Sequence, residues 1–492
     1  MKTRVYSCLL ALFLYTLLVP GQAWSVDFKI KGQWLMAFDY GQNGNFTGGR
    51  GQTGFDGKTD EFNASQRLRL QLDAAASENL SGRIYIEIGK LTWGSDPGGA
   101  LGTDATIVKV KQAFIDWAVP NTSFRVRMGL QNVALPGFTM GNQVLVEDIA
   151  GITANWDITP NLGITVFWVR PLNDNMGSEG RNNNLDNVDA FGLTLPITLD
   201  GAKITPWGMY AAVGSGAFDE TRRSSRYGIE AGTAKNFAAG MVSGFGTDKP
   251  GSFYANAFWT GITGEFTFWE PLRLAWDFTY GSVDYGNPEW DRRGWLASLL
   301  LEYRLDWGIP GLYGWYGSGD DNSSHNGSER LPSISANNLN NGFSNFAFNG
   351  NPYIPRDNVL SYNMSGTWGI GARLKDVCFL DDVKHTLRVN LMGGTNSSGM
   401  VEDGFIAHAN DGFYGVAGLD PIYMTYQDYS LEVGLTTSWK MYENFTIMLD
   451  ASYLALWLQN DVWRDSPMRT SAGTQGGVRD AWNIDLTFAY VF

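Results

Sequence analysis

From residue 27 onward the chain alternates with a period of two. Phe28, Ile30, Trp34, Met36, Phe38 and Tyr40 interleave with Lys29, Lys31, Gln33 and Asp39, and Gly32 is the single gap in the apolar series. Successive side chains of a β-strand point to opposite faces, so this spacing predicts a strand with one apolar and one polar face. The pattern returns with Phe62, Ala64, Leu68, Leu70, Leu72 and Ala74 against Asn63, Ser65, Arg67, Arg69, Gln71 and Asp73. It returns again with Phe124, Val126, Met128 and Leu130 against Arg125 and Arg127, and with Leu272, Leu274, Trp276, Phe278 and Tyr280 against Arg273, Asp277 and Thr279. The last copy runs Trp482, Ile484, Leu486, Phe488, Tyr490, Phe492.

Alternation alone fits a soluble sandwich as well as a membrane barrel, and the spacers discriminate. Tight connections at 77–80, 120–123, 159–162, 269–271 and 442–444 take turns with long Gly- and Asn-rich segments near 41–60, 94–105, 171–187, 213–252, 318–358, 395–427 and 459–479. Short turns at one rim and long loops at the other predict a transmembrane antiparallel up-and-down β-barrel with periplasmic turns and extracellular loops. Closure removes the unpaired edges that lipid would not tolerate. The count is about 18 strands, with about 16 as the alternative, and both chain ends on the turn side require an even number. A strand is expected near 359–374, and the pair 188–195 and 202–212 is weak enough to be loop structure instead. Tyr40, Trp93, Trp117, Trp168, Trp269, Tyr280, Trp307, Trp439, Trp457 and Tyr490 fall where strands would leave the hydrocarbon, the preferred place of such rings.

Composition narrows the class. Only 17% of residues are charged, against roughly 25% in ordinary soluble domains, while 14% are aromatic and 60 are glycine. Disorder is excluded by the apolar content, and a net charge of −14 disfavours nucleic acid as a partner. Residues 1–25 read as a cleaved secretory leader: Lys2 and Arg4 precede an apolar run over 9–19, Pro20-Gly21 breaks it, and Ala23 and Ser25 suit the cleavage site. That run is shorter than the about 20 residues a spanning helix needs, and no later stretch comes closer. Cleavage after Ser25 removes Cys8, so the mature chain keeps Cys378 alone and forms no internal disulfide.

With apolar side chains toward lipid, their neighbours line the lumen, and in the first five strands that lining is basic. Lys29, Lys31, Arg67, Arg69, Arg83, Lys109, Lys111, Arg125 and Arg127 stand against Asp39, Asp73 and Glu87. A wall of like charge sets the field that a permeating ion meets. The phase of the fourth strand is the weakest point, because Ile115 and Trp117 share parity with its two lysines. After the fifth strand, 132–150 holds Pro136-Gly137 and the acids Glu147 and Asp148, at a position that belongs to the extracellular rim.

Five strands, a basic wall, the text FRVRMGLQ over 124–131 and then this segment resemble the trimeric porins of Gram-negative outer membranes, most of all the homotrimeric porins of sulfate-reducing bacteria. The resemblance implies that 132–150 folds into the barrel and narrows it, with Glu147 and Asp148 facing the basic wall. It implies three barrels side by side, and it makes Tyr490 and Phe492 the C-terminal signal read by the barrel-assembly machinery. Leu130 departs from the arginine such porins usually carry there.

Enzymatic signatures are absent. The three histidines show no paired metal-ligand spacing, no phosphate-binding loop is present, and the oxygen-rich segment 320–327 has His325 where a calcium loop needs glycine. The expectation is a passive channel for small hydrophilic solutes and inorganic ions, set in outer-membrane lipid, with no catalytic residue, metal or cofactor. Two alternatives are weighed: a barrel lipid hydrolase, for which His385 is the only histidine near a strand, and a secreted glycan-binding β protein, which leaves the spacer pattern and Phe492 unexplained. The basic wall favours anions, whereas acidic loops at the mouth would gather cations.

Overall fold

The computed structural model describes residues 26–42, 61–94, 108–173, 187–214, 240–243, 253–334, 342–348, 360–361, 364–403, 422–463 and 480–492. The leader expected over 1–25 and most of the long loops lie outside these residues. The strands are β1 (Asp27–Gln42), β2 (Glu61–Ser77), β3 (Leu80–Thr92), β4 (Val108–Ala118), β5 (Phe124–Ala134), β6 (Val146–Thr159), β7 (Leu162–Asn173), β8 (Asn187–Thr194), β9 (Ile197–Leu199), β10 (Ala202–Gly214), β11 (Tyr254–Phe266), β12 (Leu272–Asp284), β13 (Arg292–Tyr303), β14 (Ile309–Gly317), β15 (Thr367–Leu380), β16 (Val383–Gly394), β17 (Tyr429–Tyr442), β18 (Phe445–Trp457) and β19 (Ala481–Val491). β8 and β9 both pair with β10 and form one wall position, so the sheet is a closed antiparallel barrel of 18 strands. Pro196, which has no N–H to give, lies in the break between them.

The seam joins the two chain ends. β1 pairs antiparallel with β19 from Gln33↔Val491 to Gln42↔Trp482. One further pair extends it, with Gly32 N donating to Phe492 O at 2.7 Å and Phe492 N to Gly32 O at 3.0 Å. The gap in the first apolar series thus receives the terminal ring: a Cβ on Gly32 would lie 2.2 Å from Phe492 Cζ.

Large apolar groups such as Phe28, Ile30, Ile84, Ile115, Met128, Phe258, Leu312 and Ile370 are exposed on the outer face, as the lipid-facing parity requires. Two strands depart most from their expected bounds. β15 runs Thr367–Leu380 instead of 359–374, continuing past irregular registers at Leu374/Val377 and Val377/Leu380. β6 begins at Val146, inside the expected loop, because Val133↔Glu147 and Gln131↔Ile149 already pair across the sheet.

A feature the alternation did not announce is a second apolar core, inside the lumen. Inward side chains of β7 to β14, among them Val169, Val188, Met209, Ala211, Trp259, Leu300 and Tyr313, are buried against loop residues Leu135, Val144, Met241, Leu331, Phe343 and Phe348. Phe343 stacks on Tyr313 with centroids 4.2 Å apart and planes 10° from parallel. Truncating such a buried ring to alanine costs about 3–5 kcal/mol.

Candidate functional site: a charged wall and a loop that crosses the lumen

The wall is set by register, since directly opposed residues share a face. Lys29 opposes Asp73, Lys31 opposes Gln71 and Gln33 opposes Arg69 on β2. On β3, Asp73 opposes Arg83 and Arg69 opposes Glu87. The phase question on β4 is resolved by a bulge: Glu87 pairs with Lys109 and Tyr85 with Gln112, the register shifting between Tyr85 and Ile86. One extra residue on β4 lets Lys109 and Phe114 both stand on the lumen parity while Val110, Ile115 and Trp117 face out. Asp116 then falls opposite Arg127.

Several of the bases are partnered. Arg69 Nε lies 2.7 Å from Glu87 Oε2 and Arg83 Nε 2.6 Å from Asp73 Oδ1. Arg127 grips Asp116 with two bonds of 2.7 and 2.9 Å, the planar fork geometry that holds a guanidinium rigidly. Phe114 sits between Arg127 and Arg83, whose guanidinium carbons lie 4.0 and 5.5 Å from its ring centroid. Among the described residues Lys29, Lys31, Arg67 and Arg125 make no ion pair. The wall therefore keeps an excess of positive charge after its internal pairs are counted, although Asp116, unrecognised in the sequence because of the bulge, offsets part of it.

The two acids expected on the constriction loop are placed differently. Glu147 and Asp148 both lie on β6: Glu147 opposes Val133, and Asp148 opposes Asn132. Asp148 accepts from Lys111 Nζ at 2.8 Å and Gln112 Nε2 at 3.0 Å, so its charge is met locally instead of being presented across the pore. Lys111, the extra residue of the bulge, is likewise committed to this pair.

What crosses the lumen is the shorter segment 135–145. Its neck closes through Leu135 N donating to Leu145 O at 2.9 Å. Asn142 shapes the return, its Nδ2 donating to Pro136 O at 3.0 Å while its Oδ1 accepts from Val144 N at 2.8 Å. Gly137 permits the tight bend, since a Cβ there would lie 2.5 Å from Met140 O. At the far wall, Asp277 on β12 accepts from Phe138 N and Thr139 N, each at 2.8 Å, and also from the Thr139 hydroxyl. Thr139 Oγ1 is 2.6 Å from Ser298 Oγ on β13, and Arg273 Nη2 donates to Phe138 O at 2.8 Å. The alternation puts Asp277 on a polar face, and its loop contact has no local signature in the sequence.

Between the loop and the short turns lies a cavity of 820 Å³ lined by Asp116, Arg125, Arg127, Gln131, Thr153, Asn155 and Phe167, with Pro136 of the loop beside them. Of the histidines, His325 contacts Glu289 at 3.0 Å, His385 contacts Thr437 Oγ1 at 3.0 Å, and His408 lies outside the described residues. Asp320 and Asp321 spend their oxygens within the loop and its neighbours, on Ser328, Tyr423, Ser323 N and Asn326. Tyr490 and Phe492 stack with centroids 5.5 Å apart.

The sequence matches no protein-family model and no curated protein. Its fold does match solved structures. The outer membrane protein OprD from Pseudomonas aeruginosa superposes with a TM-score of 0.52 at 10% identity, over 96% of this chain and 95% of that one. OpdO of the same organism gives 0.51 at 10% identity over 95% and 97%, and OccAB3 of Acinetobacter baumannii gives 0.50 at 11% over 95% and 99%. The fold these structures share with this chain is the closed antiparallel barrel of 18 strands.

Proposed function

We propose that the chain forms a passive, water-filled channel in a bacterial outer membrane, through which small hydrophilic solutes and inorganic ions diffuse without covalent chemistry or a cofactor. The observation that carries this reading is the pairing of a basic lumen wall with a loop that spans the barrel to Asp277 and leaves a polar cavity beneath it. The loop sets a steric cutoff, and Lys29, Lys31, Arg67 and Arg125, which make no ion pair among the described residues, favour anions along the wall. The leader over 1–25 would bring the chain through export, and Tyr490 and Phe492 would present it to the barrel-assembly machinery. Three barrels side by side, by resemblance, is the assembly proposed.

The test is single-channel current of the purified mature protein in a planar bilayer under a salt gradient. Stable openings that close in thirds, with a reversal potential of the sign set by anions, are expected. A protein that inserts but never conducts would remove the channel reading, and a cation-selective reversal potential would remove the role given to the wall. Native mass in detergent tests the trimer independently, and a monomer would end it.

A further inference from the structure

Two segments enter the lumen from different loops, and one carboxylate lies between their anchors. Segment 135–145 is held at its tip by Asp277 and by Arg273 Nη2, which donates to Phe138 O at 2.8 Å. Segment 342–348 is held by Arg373 Nη1 donating to Gly342 O at 3.1 Å. Glu432 Oε1 adds to this anchor by accepting from Asn345 N at 3.1 Å and Phe346 N at 3.0 Å. Both arginines bind the same residue: Glu302 on β13 accepts from Arg273 Nη1 through Oε2 at 2.8 Å and from Arg373 Nη2 through Oε1 at 2.6 Å.

A guanidinium is a planar fork, so fixing one nitrogen on a carboxylate aims the others. Arg273 is also tied to Glu265 at 2.8 Å, but among the described residues Arg373 has Glu302 as its only ion-pair partner. Arg373 moreover stands opposite Arg388 in the sheet, a like-charge pair that needs a neighbouring carboxylate. The segments also touch through surrounding chain: Ile334 N donates to Val144 O at 2.9 Å and Met364 N to Gln143 Oε1 at 3.4 Å.

We propose that Glu302 is a positioning residue that makes the two lumen segments one unit, by orienting the two arginines whose remaining donors hold Phe138 O and Gly342 O. The consequence for permeation rests on the channel reading; the coupling itself does not. Glu302→Gln keeps the side-chain shape but offers one accepting oxygen, and its amide then turns a donor toward the other guanidinium.

The experiment is amide hydrogen exchange on the full-length folded protein in detergent, paired with single-channel current. Glu302→Gln is expected to speed exchange on the order of tenfold in both 138–139 and 342–346, as loss of a charge-assisted bond implies, and to raise the single-channel current. Glu302→Asp, which keeps the charge, is expected to fall between wild type and Gln, and it serves as the test if the Gln variant does not assemble. Asp277→Asn is expected to speed 138–139 with little effect on 342–346. Acceleration in only one segment or in neither, with the barrel still folded by its gel mobility, overturns the coupling. A wild-type protein that never conducts would remove the channel reading and leave the exchange result to decide the coupling alone.

Discussion

Gly32 and Phe492 offer a quantitative check on how the barrel closes. A methyl added at Gly32 would meet Phe492 Cζ at 2.2 Å and both Cε atoms at 2.6 Å, more than 1 Å inside contact distance, so the ring must leave its seat. Overpacking of this kind costs about 1–3 kcal/mol. The displaced ring also loses its stack on Tyr490, worth about 0.5–1.5 kcal/mol. The ring faces the lipid side and is 48% exposed, so apolar transfer adds little and contact dominates. Phe492→Ala should therefore cost about 1 kcal/mol and Gly32→Ala about 1–3 kcal/mol. The double variant should cost less than the sum by about 1 kcal/mol or more, because a methyl has room once the ring is gone. Urea titration of the heat-modifiable folded form in lipid vesicles would measure all three. Additive costs would refute the seat, and a Gly32→Ala protein as stable as wild type would do so outright.

The remaining predictions concern charge and topology. Replacing Arg67, Arg69, Arg125 and Arg127 with alanine should move the reversal potential toward cation selectivity, all the more because Asp116 and Glu87 lose their partners; an unchanged ratio would sink the basic-wall proposal. Glu329, in the segment after β14, is pushed up to about 7 by burial and by Asp320 and Asp321, against the opposing bond from Asp321 N. A raised carboxyl stabilises the folded loop below the ordinary glutamate range, and this contribution is lost as pH rises through about 7. Exchange protection over 318–334, corrected for intrinsic rates, should thus be higher at about pH 5 than at about pH 8, and the reverse order would refute the assignment. Cys378 is exposed and lies near the short turn at 381–382. A bulky maleimide should label it only after the outer membrane is breached, and labelling of intact cells would invert the proposed topology.

The strand pattern was legible because one side of each strand meets lipid, and lipid enforces strict alternation. Where that condition weakened, so did the reading. β15 was misplaced because Asp376, at φ 56°, interrupts its pleat and Phe379 and Leu380 then lie beyond the irregularity. The lysines of β4 could not be phased, since a bulge leaves no mark in composition. Glu147 and Asp148 were assigned to the loop because its length was overestimated, while Val146 and Ile149 already carried the strand's text. The inner core is not announced by the alternation; its one trace is the stretch Met209, Tyr210, Ala211, Ala212, Val213, apolar on both parities, the mark of a strand covered on both faces. The loop contact of Asp277 was beyond reach, because the groups it holds are backbone atoms more than a hundred residues away, and those of Glu302 depend on register, Arg273 standing opposite it on β12 and Arg373 beyond Gly311 on β15.

The apolar core inside the lumen changes how the inward segments should respond to temperature. A constriction held only by hydrogen bonds to a wet wall would open with little change in hydration. Here, undocking Phe343, Phe348, Leu331 and Val144 from Tyr313, Trp259 and Met209 would wet a surface that is now dry. Wetting apolar surface raises heat capacity, and the drive to keep it dry weakens on cooling. The segments inside this barrel are thus cold-sensitive parts of a wall whose own strands, bonded edge to edge, are not.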